Sequence, residues 1–278
     1  MTFSLEQMPQ LTLNSGQRIP QLGLGVYKVS QDIAVDLVKN AVDAGYRRID
    51  TAALYGNEAE IGQGVRECGL AREELFITTK IWNDRQGYDE ALVAIDESLN
   101  RLNIEYVDML LIHWPCPTQN LFVETWAAFQ EAQKGGKIRG IGVSNFQPAH
   151  LEKLIAAGGT IPALNQVEMH PGLQQSDVRA FDAKHGIATE AWSPLARGKF
   201  ADNEQLESIA SAHNKSITQV IIRWHIQLGN LVIPKTSNAD RLAENIHVFD
   251  FELNEEQMKT IASLDSGMRT GLNPDEFG

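Results

Sequence analysis

Gly45-Tyr46-Arg47-Arg48-Ile49-Asp50-Thr51-Ala52-Ala53-Leu54-Tyr55-Gly56-Asn57-Glu58 ends a short run of β-formers, Arg47–Asp50, on a carboxylate, and sets a tyrosine five residues later in the loop before a helical pattern. The arrangement recurs along the chain. Thr78-Thr79-Lys80-Ile81-Trp82 puts a lysine at the end of Phe76–Lys80, and the nearly continuous apolar run Val107–His113 ends in a histidine, followed by Trp114 and Pro115. Ser144 and Asn145 close the segment Ile138–Ser144, and Gln166 lies near the end of Ala163–Glu168. Trp192 ends Ile187–Trp192, and Lys235 follows Leu231–Pro234. With Leu22–Gly25 these make eight candidate strands. Several are apolar at consecutive positions, as parallel strands covered on both faces are.

Helical patterns lie between them. Ile33, Leu37, Val38, Ala41 and Val42 recur at helical spacing and stop at Gly45, a candidate cap. Further helices are expected over Glu58–Cys68, Glu90–Leu102, Val123–Lys134, Pro148–Ala157, Ser176–His185, Asn203–His213, Thr218–Leu228 and Ala239–Ile246. No Pro/Gly/Ser-rich linker interrupts the alternation, which leaves a closed barrel or a doubly wound sheet. A barrel gathers the C-terminal ends of its strands around one mouth, where its chemistry is done. Here the reactive side chains stand at those ends, so a single (β/α)8 TIM barrel spanning residues 1–278 is expected. Leu11–Leu13 and Arg18–Pro20 flank Asn14-Ser15-Gly16 and read as a hairpin that plugs the barrel bottom. Glu255–Leu264 reads as one more helix, and Ser266–Gly278 as a tail over the active-site mouth.

Composition narrows the function classes. Of 278 residues, 43% are hydrophobic and 22% charged, which suits a large buried core. A net charge of −12 argues against nucleic acid, which needs a basic footprint, but leaves room for a phosphate-bearing cofactor held by a few local cations. Cys68 and Cys116 form no CxxC pair, and Met1 to Pro20 lacks the basic and apolar regions of a secretion signal. The longest purely apolar runs, such as Met109–Ile112, are far too short to span a bilayer. A cytoplasmic protein with no membrane partner is expected.

Two glycine-rich stretches are near misses. Gly23-Leu24-Gly25-Val26-Tyr27-Lys28 lacks the third glycine of a dinucleotide fingerprint, and Gly140-Ile141-Gly142-Val143-Ser144-Asn145 lacks the second glycine of a nucleophile elbow. Tight turns explain both. Taken singly, Asp50 could be a helix cap, Tyr55 a packed aromatic, Lys80 half of a surface ion pair and His113 a core histidine. Together they place four ionisable groups at three successive strand ends.

These motifs resemble the aldo-keto reductase family over nearly the whole chain, from the hairpin near Leu11 to the tail near Phe277. The resemblance rests on Gly45–Gly56, the Lys80 segment, the stretch around His113, Ile138–Phe146, Asn165–Pro171 and Ile233–Asn245. Within the family, Gly23–Val29, Thr78–Asp84, the tail Gly271–Gly278 and the short loop Trp114–Leu121 resemble the bacterial 2,5-diketo-D-gluconic acid reductase branch. The resemblance implies NADPH-dependent reduction of small aldehydes and ketones, such as methylglyoxal and 2,5-diketo-D-gluconate, by a monomer. It implies Tyr55 as proton donor, with Lys80 lowering the phenol pKa, Asp50 orienting Lys80, and His113 holding the substrate oxygen. It places Ser144, Asn145 and Gln166 on the nicotinamide carboxamide and Trp192 on its ring, with Ser193 and Leu195 also on the cofactor. Lys235, Thr236, Ser237 and Arg241 fall at the 2′-phosphate, and Glu244 and Asn245 at the adenine. Tyr27, Trp82, His113 and Trp114 would meet the substrate, and Arg197, Lys199 and Arg269 could attract an anionic one. Glu168 and His170 invite a metal site, but no metal is expected, because neither is a ligand where the family carries this motif. Two other classes stay in view: an NADPH-binding regulatory barrel of low turnover, and a metal-dependent barrel hydrolase.

Overall fold

Consecutive parallel strands require a crossover, and here each crossover is helical. The computed structural model describes residues 8–278. The first seven residues of the stretch read for a leader, and of the expected domain, lie outside the described residues. A hairpin of β1 (Gln10–Thr12) and β2 (Arg18–Pro20) comes first. Then follow β3 (Leu24–Gly25), α1 (Gln31–Asp43), β4 (Arg48–Asp50), α2 (Glu58–Glu67), β5 (Phe76–Ile81), α3 (Tyr88–Leu102), β6 (Val107–Ile112) and α4 (Phe122–Lys134). The second half runs β7 (Ile138–Ser144), α5 (Pro148–Ala156), β8 (Leu164–Glu168), α6 (Ser176–Lys184), β9 (Ala188–Trp192), α7 (Glu204–His213), α8 (Ile217–Gln227), β10 (Leu231–Val232), α9 (Ala239–Ile246) and α10 (Glu255–Ala262).

From β3 to β10 the strands pair in chain order, all in parallel. The first and last strands then meet. Leu22 bridges Val232 and Gly25 bridges Lys235, with Gly23 N–H donating to Val232 O over 2.9 Å and Val232 N–H to Gln21 O over 2.9 Å. The expected (β/α)8 barrel is thus present. Its seam strands are shorter than the apolar runs suggested, because the β3–β10 contact is made by isolated bridges rather than a continuous ladder. Gly25 makes that approach possible, since a Cβ there would stand 3.0 Å from Ile233 O.

Local chemistry sets the element ends. Gly45 (φ 108°) follows α1 with its N–H on Val42 O, and the Tyr46 N–H reaches back to Ala41 O, which closes the helix in a Schellman motif. The hairpin packs Leu13 and Ile19 against Phe76, Met109, Leu164 and Leu231, residues of the lower strand halves, and so closes the bottom as expected. The larger apolar core lies between the strands and the helices, where Leu37, Ile61, Ile95, Trp126, Phe129 and Leu151 are buried against the sheet.

The α2–α3 contact is tight. A Cβ at Gly62 would sit 1.8 Å from Leu102 O, so α2 lies directly on the C-terminal end of α3. Gly62→Ala is therefore expected to lower stability by about 1–3 kcal/mol, the usual effect of overpacking, despite alanine's better helix propensity. Urea denaturation of the purified variant checks this, and an unchanged midpoint would mean the helices can separate freely.

Candidate active site

Tyr55 is held by anchors on both sides of its loop. Ala53–Tyr55 forms a single 3-10 turn that ends at Gly56 in the left-handed region (φ 66°). Behind it, Asn57 accepts from the Thr51 hydroxyl over 2.9 Å and donates to Val26 O and Val29 O over 3.0 and 3.2 Å. Buried Glu58 accepts from Thr79 over 2.6 Å and from Arg101 over 2.7 Å. Two successive polar side chains thus pin the start of α2 to the segment after β3, to β5 and to α3, and the tyrosine is carried on a fixed turn.

Inside the barrel Lys80 is wholly buried. Its ammonium donates to Asp50 Oδ1 over 2.5 Å, to Thr51 O over 2.9 Å and to the Tyr55 hydroxyl over 3.3 Å. Burial works against the charge on Lys80, but Asp50 first and Tyr55 second outweigh it, so the lysine pKa is raised and the ammonium persists. Tyr55 as a whole is half-buried, yet its hydroxyl end meets a lysine with no solvent exposure. Burial raises the phenol pKa and Lys80 pulls it down, with burial prevailing. The influence of Lys80 has the expected downward sign, but desolvation is larger. His113 stands edge-on to Tyr55 and to Trp82, with ring centroids 5.8 and 5.0 Å away. Burial, then the charge of Lys80, holds its pKa well below the ordinary histidine value, so the ring is neutral. Its buried Nδ1 has no hydrogen-bond partner among the described residues.

A cavity of about 1020 Å³ opens above these groups. Asp50, Tyr55, Tyr27, Trp82 and Trp114 line one end, with the tail residues Gly271, Leu272 and Phe277. Phe277 packs edge-on to Trp114 at 4.9 Å, so the tail covers the mouth as expected. Trp192, Ser193 and Leu195 line the cavity too, as do Lys235, Arg241, Glu244 and Asn245. Lys235 and Arg241 are exposed, and no carboxylate pairs with either among the described residues. Two unpaired cations on the wall of one cavity suit an anionic group such as a phosphate. Arg197 also lines the cavity, whereas Lys199 and Arg269 are not part of its wall.

Ser144, Asn145 and Gln166 lie together at the ends of β7 and β8, buried just outside the cavity wall. The Ser144 hydroxyl donates to Gln166 O over 2.8 Å, and Asn145 (φ 65°) donates to His113 O over 2.9 Å. The indole N–H of Trp192, on the wall itself, donates to Asn145 Oδ1 over 2.8 Å. Buried Thr236 and exposed Ser237 are likewise not part of the wall.

Three features escaped the sequence reading. Lys215, Ser216, Ile217 and Thr218 at the start of α8 line the cavity. The Ser216-x-x-Gln219 capping box was their available signal, since it marks a helix start and its unpaired N–H groups. Arg48 and Glu190 form a buried pair in the barrel interior. Glu168 accepts from the Thr270 N–H over 2.6 Å, the Thr270 hydroxyl over 2.5 Å and the Gly271 N–H over 3.0 Å, and it faces His170 at 3.3 Å. The pair that suggested a metal site therefore fastens the tail. Among the described residues no group of three His, Cys, Asp or Glu could hold a metal ion, and no helix is long and apolar enough to cross a membrane.

Residues 21–266 match the Aldo/keto reductase family. The chain belongs to that family. It is 49% identical to a glyoxal reductase of Bacillus subtilis, over 95% of this chain and 96% of the relative. It is 43% identical to a methylglyoxal reductase of Escherichia coli, over 96% and 98%. A crystal structure of a Gox0644 point mutant in complex with NADPH superposes with a TM-score of 0.94 at 43% identity, covering 98% of this chain and 99% of that one. This aldo-keto reductase is an oxidoreductase that reduces carbonyl compounds with NADPH.

Because burial and Lys80 both act against the imidazolium, lowering the pH should leave His113 neutral. Ring-nitrogen NMR of the protein labelled at histidine is expected to show no titration of His113 between about pH 8 and 5, where an ordinary histidine changes charge. A midpoint near 6.5 would place the ring in water rather than in the barrel.

Proposed function

We propose that this enzyme reduces small aldehydes and ketones, 2-oxoaldehydes such as methylglyoxal and keto-sugar acids such as 2,5-diketo-D-gluconate, with Tyr55 as the proton donor. One observation carries the reading: the Tyr55 hydroxyl lies 3.3 Å from a buried ammonium that Asp50 keeps charged, at the cavity floor. Reduction of a carbonyl needs a proton on oxygen and a hydride on carbon. NADPH, when bound, supplies the hydride. Tyr55 transfers its proton to the substrate oxygen, and Lys80 meets the negative charge left on the phenolate. Neutral His113 donates a ring N–H to the same oxygen and aims the carbonyl. Asp50 serves by holding Lys80. Since the phenol pKa is raised, Tyr55 keeps its proton throughout the neutral range, and reduction should fail only as pH climbs past the ordinary tyrosine value of about 10.

The wall residues divide by position. Tyr27, Trp82 and Trp114 crowd the carbonyl end, which suits compact substrates and excludes water. Ser144, Asn145 and Gln166 would hold the carboxamide of the nicotinamide, Trp192 would meet its ring, and Ser193 and Leu195 would border the diphosphate. Lys235, Thr236, Ser237 and Arg241 would take the 2′-phosphate, and Glu244 and Asn245 the adenine. The glyoxal and methylglyoxal reductases among its relatives support the dicarbonyl class. The same reading makes the protein a cytoplasmic monomer, one domain from residue 1 to 278, with no nucleic-acid or membrane partner. Its free thiols, Cys68 and buried Cys116, suit a reducing compartment.

Tyr55→Phe deletes only the hydroxyl. With methylglyoxal as substrate, turnover should fall by about 10²–10⁴-fold while NADPH still binds, as measured by quenching of protein fluorescence. Near-normal turnover in the pure variant would remove Tyr55 from the chemistry, and negligible turnover by the parent enzyme would favour a regulatory barrel.

Arg241→Ala removes one charge-assisted contact to the 2′-phosphate. NADPH affinity should drop about tenfold to a hundredfold, with NADH affected far less. Equal weakening of both nucleotides would assign Arg241 to something they share.

A further inference from the structure

Beneath the Tyr55–Lys80–Asp50 group lies a second pair of charges to which no step above assigns a part. Arg48 on β4 and Glu190 on β9 are fully buried and bonded to each other through Arg48 Nη2 and Glu190 Oε1. Their strands are not neighbours, so the pair crosses the barrel interior. Arg48 Nη2 also reaches Val232 O at 3.3 Å, but its Nε and Nη1 are buried without partners. Burial pushes the carboxyl of Glu190 up and the guanidinium of Arg48 down, each opposed by the other's charge. A buried ion pair with unsatisfied donors is a poor stabiliser, and apolar residues of the same volume would often do as well.

The pair's second contact gives it a purpose. Gln166 is the register partner of Glu190 on the adjoining strand. Its Nε2 donates over 2.8 Å to Glu190 Oε2 and over 2.8 Å to Asp50 Oδ2. An amide set between two carboxylates can offer them only its nitrogen, which turns its oxygen away. Among the described residues nothing donates to that oxygen. Asp50 in turn has Oδ1 on Lys80 and Oδ2 on Gln166, so both its oxygens are fixed.

We propose that Glu190, held by Arg48, is a positioning residue that orients the Gln166 amide, oxygen toward the cofactor, and through Gln166 locks Asp50 on Lys80. The inference rests on the reading of Tyr55 as proton donor. The charges facing Glu190 are Arg48, Asp50 and Lys80, and the titratable groups facing Tyr55 are Lys80, Asp50, Tyr27 and His113. If the chain couples them, changes at Glu190 and at Arg48 should reach the Tyr55 proton with opposite signs.

The test is the alkaline limb of the pH–rate profile, recorded by rapid pH-jump with NADPH and methylglyoxal. Glu190→Gln removes a negative charge and leaves Arg48 unopposed, which favours the phenolate, so the limb should move down by about half a unit to one unit. Arg48→Met should move it up. In the double variant R48M/E190L the limb should return to its original place, while kcat falls by about tenfold because Gln166 has lost one of its two anchors. Removing both charges together avoids an unpaired buried ion, so this variant decides the matter even where a single one does not fold. A double variant with full kcat overturns the proposal, as do single variants whose limbs stay put or shift in the same direction. Tyr55→Phe, run alongside, separates the two readings: if it keeps the limb, the assignment of Tyr55 fails, whatever Glu190 does.

Discussion

A lysine ammonium with no access to water would ordinarily surrender its proton, because the interior of a protein does not solvate charge. Lys80 keeps it because Asp50 stands 2.5 Å away and Thr51 offers a carbonyl oxygen besides. That one charge governs its neighbours. It points at the Tyr55 hydroxyl, where under the proposed mechanism it would meet the phenolate, and it joins burial in keeping His113 neutral. Asp50 is the largest influence that keeps the lysine charged against its burial. The reaction assigned to the site depends on this pair more than on any other contact.

The fold is what makes such a pair affordable. Asp50 ends β4 and Lys80 lies near the end of β5, adjacent parallel strands whose inward side chains share the barrel interior. Below them the hairpin and the lower strand halves form an apolar plug around Phe76, Met109 and Leu164, which seals the interior from solvent at that end. Above them the tail is fastened by Glu168, and Gly271 lies so close to Trp192 that a Cβ would stand 2.5 Å from the indole. The charged layer is therefore shielded from below by packed hydrocarbon, and the cavity above it is walled in part by aromatic rings.

Some of this could be read directly from the sequence. Asp50, Lys80 and His113 each interrupt or end a run of β-formers, and a barrel brings strand ends together whatever the loops do, so the cluster could be seen before the structure. Arg48 and Glu190 were equally visible as charges within candidate strands. Their partnership was not, because it spans 142 positions and depends on which strands face each other across the interior. The attachment of the tail to Glu168 is hidden for the same reason, 102 positions apart. The sign of the Tyr55 shift needed a balance between burial and charge that residue types alone do not supply. Lys235 and Arg241 were apparent as a basic pair, but the contribution of the α8 start followed only from its packing beside α9.

Titration of Tyr55 by NMR, with carbon-13 at its phenol ring carbon, observes the central pair through its nearest neighbour. In the parent enzyme the resonance should titrate above the ordinary value of about 10, because burial outweighs Lys80. In Lys80→Met it should move higher still, because the opposing charge is gone and the burial remains. A Tyr55 resonance that titrates at the same pH in both proteins would show that Lys80 does not act on the phenol, and the account of the proton donor would fall.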